Sequence, residues 1–164
     1  MKNIIIEGLD GTGKSTLSAY LEQKGYTSLH CEYSNREKNV FKKYKHLLLT
    51  ASNLVFDRSF ISEIVYGSIL RGSIRIRSEK IIELLSICSN NNYILIYLYA
   101  SKAELLKRVN NSADYNLLLK YYDILSNEYQ KVINRIKAHI RVIELCTDQE
   151  DYLTNLMEDI INDV

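Results

Sequence analysis

Gly8-Leu9-Asp10-Gly11-Thr12-Gly13-Lys14-Ser15 decides the reading of this chain. The stretch carries Gly, Gly, Lys and Ser at every fixed position of the pattern G-x-x-x-x-G-K-[ST], in which a backbone loop wraps a phosphate with inward-pointing N–H groups. Glycine takes the dihedrals such a loop needs without a Cβ clash. Lys14 would reach the β- and γ-phosphates of ATP, and the Ser15 hydroxyl would sit on Mg²⁺. The phosphate-binding set is Gly8, Asp10, Gly11, Thr12, Gly13, Lys14, Ser15 and Thr16. Its context agrees with its mechanism. Asn3-Ile4-Ile5-Ile6-Glu7 before it reads as a buried strand. Residues 15–24 after it read as a helix ending at Gly25, whose positive N-terminal end faces the same anion.

Composition bounds the class. At 164 residues the chain reads as a single domain over 1–164 with a sizeable core. It is 46% hydrophobic and 25% charged, as ordinary globular chains are. A net charge of +1 gives no long-range field, which argues against nucleic-acid and membrane partners. There is no apolar run long enough for a bilayer and the chain opens on a strand, so a cytoplasmic location is expected, the host cytoplasm for a viral protein. Cys31, Cys88 and Cys146 are odd in number, lack metal spacing, and read as buried thiols in a reducing compartment. His30, His46 and His139 are scattered and take no metal role.

Outward from the loop, strands and helices alternate. Further strands are predicted over 27–33, 53–56, 93–99 and 140–145, and further helices over 35–50, 59–70, 79–88, 101–109, 115–138 and 147–161. Ser78 reads as an N-cap, and Ser101 with Glu104, and Thr147 with Glu150, as capping boxes. That order implies an α/β fold: a five-stranded parallel sheet between two helical layers, with the ligand crevice at the strand carboxyl ends. The 8–15 loop, Glu32 and Asp57-Arg58 all fall at such ends.

Ile6-Glu7-Gly8-Leu9-Asp10-Gly11-Thr12-Gly13-Lys14-Ser15-Thr16 resembles the phosphate loop of the thymidylate kinases and their nucleoside-kinase relatives. Phe56-Asp57-Arg58-Ser59-Phe60-Ile61-Ser62-Glu63-Ile64-Val65-Tyr66-Gly67 resembles the same family's D-R-[YFS]-x-x-S-x-x-A-Y-[QG] segment. Weaker similarity over 96–109 and 114–129 brings the total to about two thirds of the chain. The resemblance implies the three-layer P-loop fold of nucleoside and nucleotide kinases, and phosphoryl transfer from ATP, with Mg²⁺, to a deoxynucleoside monophosphate, dTMP or a related one. It implies that Lys14 stabilises the transferring group, that Ser15 and Asp57 hold Mg²⁺, and that Arg58 bridges acceptor and donor phosphates. Asp10 matches the acidic loop residue that contacts the sugar 3′-hydroxyl. Phe41 and Lys45, four apart on one helical face, stand where the family sets an aromatic residue and an Arg against the base. Tyr66 is a wall of the acceptor site. A homodimer through helices beside the D-R segment is also implied.

Two departures are visible. The lid position, Asn110-Asn111-Ser112-Ala113, has no Arg, so a phosphate clamp falls to Arg71, Arg75 or Arg108, with Arg77 and Lys107 nearby. The acceptor region is abbreviated, with Lys45 where an Arg is expected; Lys is a point charge rather than a fork, which leaves the base open. Such a compact version is similar to kinases encoded by viruses and phages. Other readings stand beside this one. Glu32 sits where nucleoside kinases of this group place the base that takes the 5′-hydroxyl proton, which makes a deoxynucleoside kinase the alternative; the same Glu also fits an exposed strand end. A nucleotide-binding protein without transfer is the third reading. Phe41 and Tyr44 also fit the buried face of an amphipathic helix, Tyr115, Tyr121, Tyr122 and Tyr129 the packing of the long helix, and Arg75 and Arg77 a solvated surface.

Overall fold

The computed structural model describes residues 2–31, 34, 37–110 and 113–148. In chain order the elements are β1 (Ile4–Glu7), α1 (Lys14–Glu22), β2 (Thr27–His30), α2 (Val40–Thr50), β3 (Leu54–Asp57), α3 (Phe60–Leu70), α4 (Ser78–Asn90), β4 (Ile94–Tyr99), α5 (Lys102–Arg108), α6 (Ala113–Ile136) and β5 (Arg141–Cys146). The strands form one all-parallel sheet in the order β2-β3-β1-β4-β5. Ile6 pairs with Asp57 on one side and Ile96 on the other, so β1, β3 and β4 end nearly level. Whatever follows those three strands therefore opens on one edge of the sheet.

Side-chain alternation divides the core in two. Ile5, Phe56, Leu95 and Tyr97 join a core with residues of α2, α3, α4 and α6. Ile4, Ile6, Val55, Ile94, Ile96 and Leu98 join a second core with Leu17 and Leu21 of α1. Both faces of the central strands are thus buried, which is why Ile-Ile-Ile and Ile-Leu-Ile-Tyr-Leu read as continuous apolar runs. The three-layer α/β/α arrangement expected from the sequence is the fold observed.

Local boundaries differ in instructive places. α2 starts at Val40, because Asn39 caps it by accepting from the Lys42 amide at 2.9 Å; part of the predicted 35–39 extension lies outside the described residues. Ser78 is the first residue of α4 and not its cap; Arg77 holds the cap position without a side-chain bond. At α5 only half of the predicted capping box forms. Ser101 accepts from the Glu104 amide at 3.4 Å, but the Glu104 carboxylate turns to Arg108 and the Ser101 amide bonds Asp148 instead. Cys31 and Cys88 are buried as expected, whereas Cys146 is exposed, at the end of an edge strand. The predicted helix over 147–161 lies almost entirely outside the described residues. Among the described residues, no helix is long and apolar enough to cross a membrane, and no cluster of three or more His, Cys, Asp or Glu has a metal-binding arrangement.

Candidate active site

The phosphate loop connects β1 to α1. Its first glycine, Gly8, has φ +150° and lies so close to β4 that an added Cβ would stand 2.3 Å from the Leu98 carbonyl oxygen. Gly13 takes the N-cap position of α1 at φ 90° and offers no side chain to its amides, which leaves them for an anion. Thr12 closes the loop inward, its hydroxyl donating to the Leu9 carbonyl at 2.8 Å. Lys14 is buried and donates to the carbonyls of Gly8 at 3.0 Å and Leu9 at 2.8 Å. Burial, then the nearby Arg58 charge, lowers its pKa to about 8. An ammonium held only by neutral carbonyls in this setting is one that an anionic ligand would stabilise. The cavity over the loop measures about 420 Å³ and includes Asp10, Gly11, Gly13, Ser15, Thr16 and Arg108 in its lining.

Asp57 ends β3 beside that cavity and is almost fully buried. Its Oδ2 accepts from the Ser15 hydroxyl at 3.3 Å and pairs with His30 Nδ1 at 2.9 Å. Its Oδ1 is buried with no hydrogen-bond partner among the described residues. A buried carboxylate oxygen left open beside a serine hydroxyl and a phosphate cavity is the hard-oxygen donor set that Mg²⁺ takes. The residues fit that ion. His30 is a participant the sequence did not single out.

Arg58 follows Asp57 with φ 72°, a left-handed backbone rare for a residue with a side chain. Its amide donates to Ile6 O, continuing the sheet ladder by one residue. Its guanidinium pairs with Asp10, donates to Ser62 Oγ at 3.3 Å and lies 5.2 Å from the Tyr66 ring centroid. Tyr66 also donates to the second Asp10 oxygen at 3.3 Å. Asp10, Arg58 and Tyr66 thus form one cluster. Beneath it Glu7, fully buried at the end of β1, accepts from the amide and hydroxyl of Ser59 at 2.7 Å each. Ser59 is the N-cap of α3, accepting from the Ile61 amide at 3.1 Å. The carboxylate therefore holds the positive end of that helix. An acidic residue closing an otherwise apolar strand was the signal available for it.

A second cavity, about 310 Å³, runs along α3. Ser59, Ser62, Glu63, Tyr66 and Leu70 line it at helical spacing, with Tyr44 and Val40 of α2 opposite. Glu63 is buried there between two arginines: Arg75 grips it through Nε at 2.9 Å and Nη2 at 2.8 Å, and Arg71 Nη2 stands 2.8 Å away. Burial alone would raise the Glu63 pKa, but the Arg75 hydrogen bond and the Arg71 charge outweigh it and hold the carboxyl below its ordinary range. Arg75 also donates to the Ser34 carbonyl at 2.9 Å. Arg71 and Arg75 line this cavity and not the one over the loop. Arg108 lines the loop cavity, where it donates to Gly11 O at 3.2 Å and Thr147 Oγ1 at 3.0 Å.

The two cavities meet at Arg58 and His30, which line both. Phe41 and Lys45, expected against the base, stand elsewhere. Lys45 pairs with Glu83 of α4 at 2.7 Å, and the Phe41 ring lies between Lys45 and Lys80, at 5.7 and 4.7 Å from their ammonium groups. One residue, about 100° of helical rotation, separates them from Val40 and Tyr44, which do line the cavity. Glu32 lies outside the described residues.

Solved structures share this fold. The chain matches the YorR protein of Bacillus subtilis, solved in complex with phosphorylated GDP, at a TM-score of 0.79 and 18% identity over 98% of this chain and 96% of that one. It matches the deoxyadenosine kinase of M. mycoides with bound dATP at 0.63 and 18%, covering 98% of this chain and 100% of that one. The thymidylate kinase of Candida albicans matches at 0.55 and 16%, over 99% and 91% of the two chains. Kinases of a nucleoside, a nucleotide and, in a further match from Acinetobacter baumannii, shikimate are thus among the neighbours. No protein-family model matches the chain, and no curated protein matches it by sequence.

Proposed function

We propose that this chain transfers the γ-phosphoryl group of ATP to a deoxynucleoside monophosphate, dTMP or a related one, in a Mg²⁺-dependent reaction. The observation that carries the reading is the meeting of the two cavities at Arg58. A nucleoside triphosphate on the 8–15 loop and an acceptor along α3 would face one another across that guanidinium. A monophosphate acceptor is supported by charge: Lys43, Arg58, Arg71 and Arg75 line the acceptor cavity against Glu37 and Glu63.

The chemistry asks little covalent work of the protein. An oxygen of the acceptor phosphate bonds to the γ-phosphorus as the β,γ-bridging oxygen departs with its electron pair on ADP. Lys14 exchanges the Gly8 and Leu9 carbonyls for phosphate oxygens. Arg58 spans incoming and transferring groups, and Arg108 stands at the loop side. Ser15 and Asp57 would hold Mg²⁺, which supplies charge neutralisation on the phosphates when bound. Asp10 and Tyr66 orient the acceptor next to Arg58.

The test is ADP release from ATP and Mg²⁺ against two panels, the deoxynucleoside monophosphates and the free deoxynucleosides. Turnover with a monophosphate is expected and names the base. Turnover with nucleosides alone would replace the acceptor class and turn attention to Glu32 as general base. ATP binding without turnover of either panel would sink the transfer reading.

A further inference from the structure

We propose that Tyr129, in the middle of α6, is a positioning residue for Arg58, acting through Glu7 and Ser62. The kinetic part of this inference rests on the phosphoryl-transfer reading; the geometric part does not.

The Glu7 carboxylate is the hub. Besides the two Ser59 donors, it accepts from the Ser62 amide at 3.2 Å, the Ser62 hydroxyl at 2.6 Å and the Tyr129 hydroxyl at 3.0 Å. A carboxylate only accepts, so Ser62 and Tyr129 must each give it their single proton. The Ser62 oxygen then presents lone pairs alone, and one of them receives Arg58 Nη1 at 3.3 Å. The Tyr129 oxygen lies 3.2 Å from the same Ser62 oxygen; with both protons given to Glu7 this is a contact and not a bond, so Tyr129 acts on Ser62 through the Glu7 oxygen they share. The remaining side-chain holds on Arg58 among the described residues are Asp10 and the Tyr66 ring, and both belong to surfaces that substrates would meet. Ser62 lines the same cavity as Tyr66, but its hydroxyl is the one hold on Arg58 that is tied back to the buried Glu7 carboxylate.

Packing alone does not explain a tyrosine at position 129. The residue is fully buried, with its ring 5.4 Å from that of Tyr97 in a stacked arrangement and 6.2 Å from that of Tyr66 edge-on. Phenylalanine would serve both contacts. A buried hydroxyl is unfavourable unless it is hydrogen-bonded, and among the described residues this one reaches only the Glu7–Ser62 pair. Burial, then the Glu7 charge, pushes its pKa far above the ordinary value, so the proton stays in place.

Tyr129→Phe keeps the rings and removes the proton. Expected is a kcat about tenfold lower with KM for ATP within about twofold, together with a shifted or broadened Arg58 Nε–H signal in arginine-selective nitrogen-15 NMR. Ser62→Ala should give the same pattern. On an Arg58→Lys background, Tyr129→Phe should have no further effect on kcat, because the group it positions is gone. An unchanged kcat and an unchanged Arg58 signal would overturn the proposal, as would a loss that multiplies undiminished on Arg58→Lys. Should no acceptor be turned over by the unmodified protein, the transfer reading fails separately and the Arg58 signal alone decides this one.

Discussion

The two cavities are built from different materials. The one over the phosphate loop is built around a backbone cradle, with glycines, helix amides and a lysine parked on carbonyl oxygens, and the side chains of Asp57, Arg58, Arg108 and Asp114 stand around it. The one along α3 is mostly side chains already engaged with each other, Glu63 between Arg71 and Arg75, and Arg58 with Asp10. A backbone site tolerates few changes and performs one task. A site of paired side chains can change its ligand by one substitution, because altering either partner alters the charge the other presents. On the proposed function, generic chemistry would fall to the first and specificity to the second.

The sharpest way to break this contrast is Lys14→Ala. Transfer should fall at least about a thousandfold while the melting temperature drops by no more than a few degrees; near-normal turnover would end the loop's assigned role. Arg58→Ala should lower kcat about a hundredfold, whereas Arg77→Ala, at the start of α4 and outside both cavities, should stay within about twofold. Equal effects would remove Arg58 from the junction. A pH series gives the next effect. With Lys14 at a pKa of about 8 in the ligand-free protein, kcat/KM for ATP should fall above that pH by up to about tenfold per unit. Stability should move the other way. The unfolded chain keeps the lysine proton up to about pH 10.4, so between about pH 8 and that value it binds more protons than the folded chain and the fold gains stability. Lys14→Met should lose that increment in a denaturation series. On the acceptor side, Glu63→Gln should raise the acceptor KM about tenfold, with KM for ATP unmoved, by releasing Arg71 and Arg75. Lys45→Ala should leave both within about twofold; a larger acceptor effect would return Lys45 to the base.

The loop was legible because its chemistry is local: eight consecutive residues at fixed spacing, preceded by a wholly apolar strand. The sheet was legible for a related reason, since central parallel strands are buried on both faces and announce themselves as unbroken runs. The cavity along α3 was legible only in part: Arg58, Tyr66, Arg71 and Arg75 stood out in the sequence, but their assembly with His30, Tyr44 and Glu63 from separate elements did not. In α2 it was helical phase that the sequence left open. Tyr44 and Phe41 are both aromatic and three apart; Tyr44 lines the cavity, while Phe41 lies beside the ionic seam that Lys45 and Lys80 make with Glu83 of α4. Glu7 and Tyr129 meet across 122 positions of sequence, a pairing no spacing rule reaches. Cys146 escaped burial because side chains alternate along β5, and it falls on the face opposite the buried Ile143 and Leu145.

Position 58 has a further consequence, for thermal selection. Its left-handed backbone disfavours any side chain with a Cβ by about 1 kcal/mol relative to glycine. Arg58→Gly and Arg58→Ala lose the same guanidinium, yet the glycine variant should melt at the higher temperature, the reverse of the usual order for this pair. A library of this protein screened for heat resistance alone would therefore rank glycine above alanine at this one site, although neither carries the guanidinium.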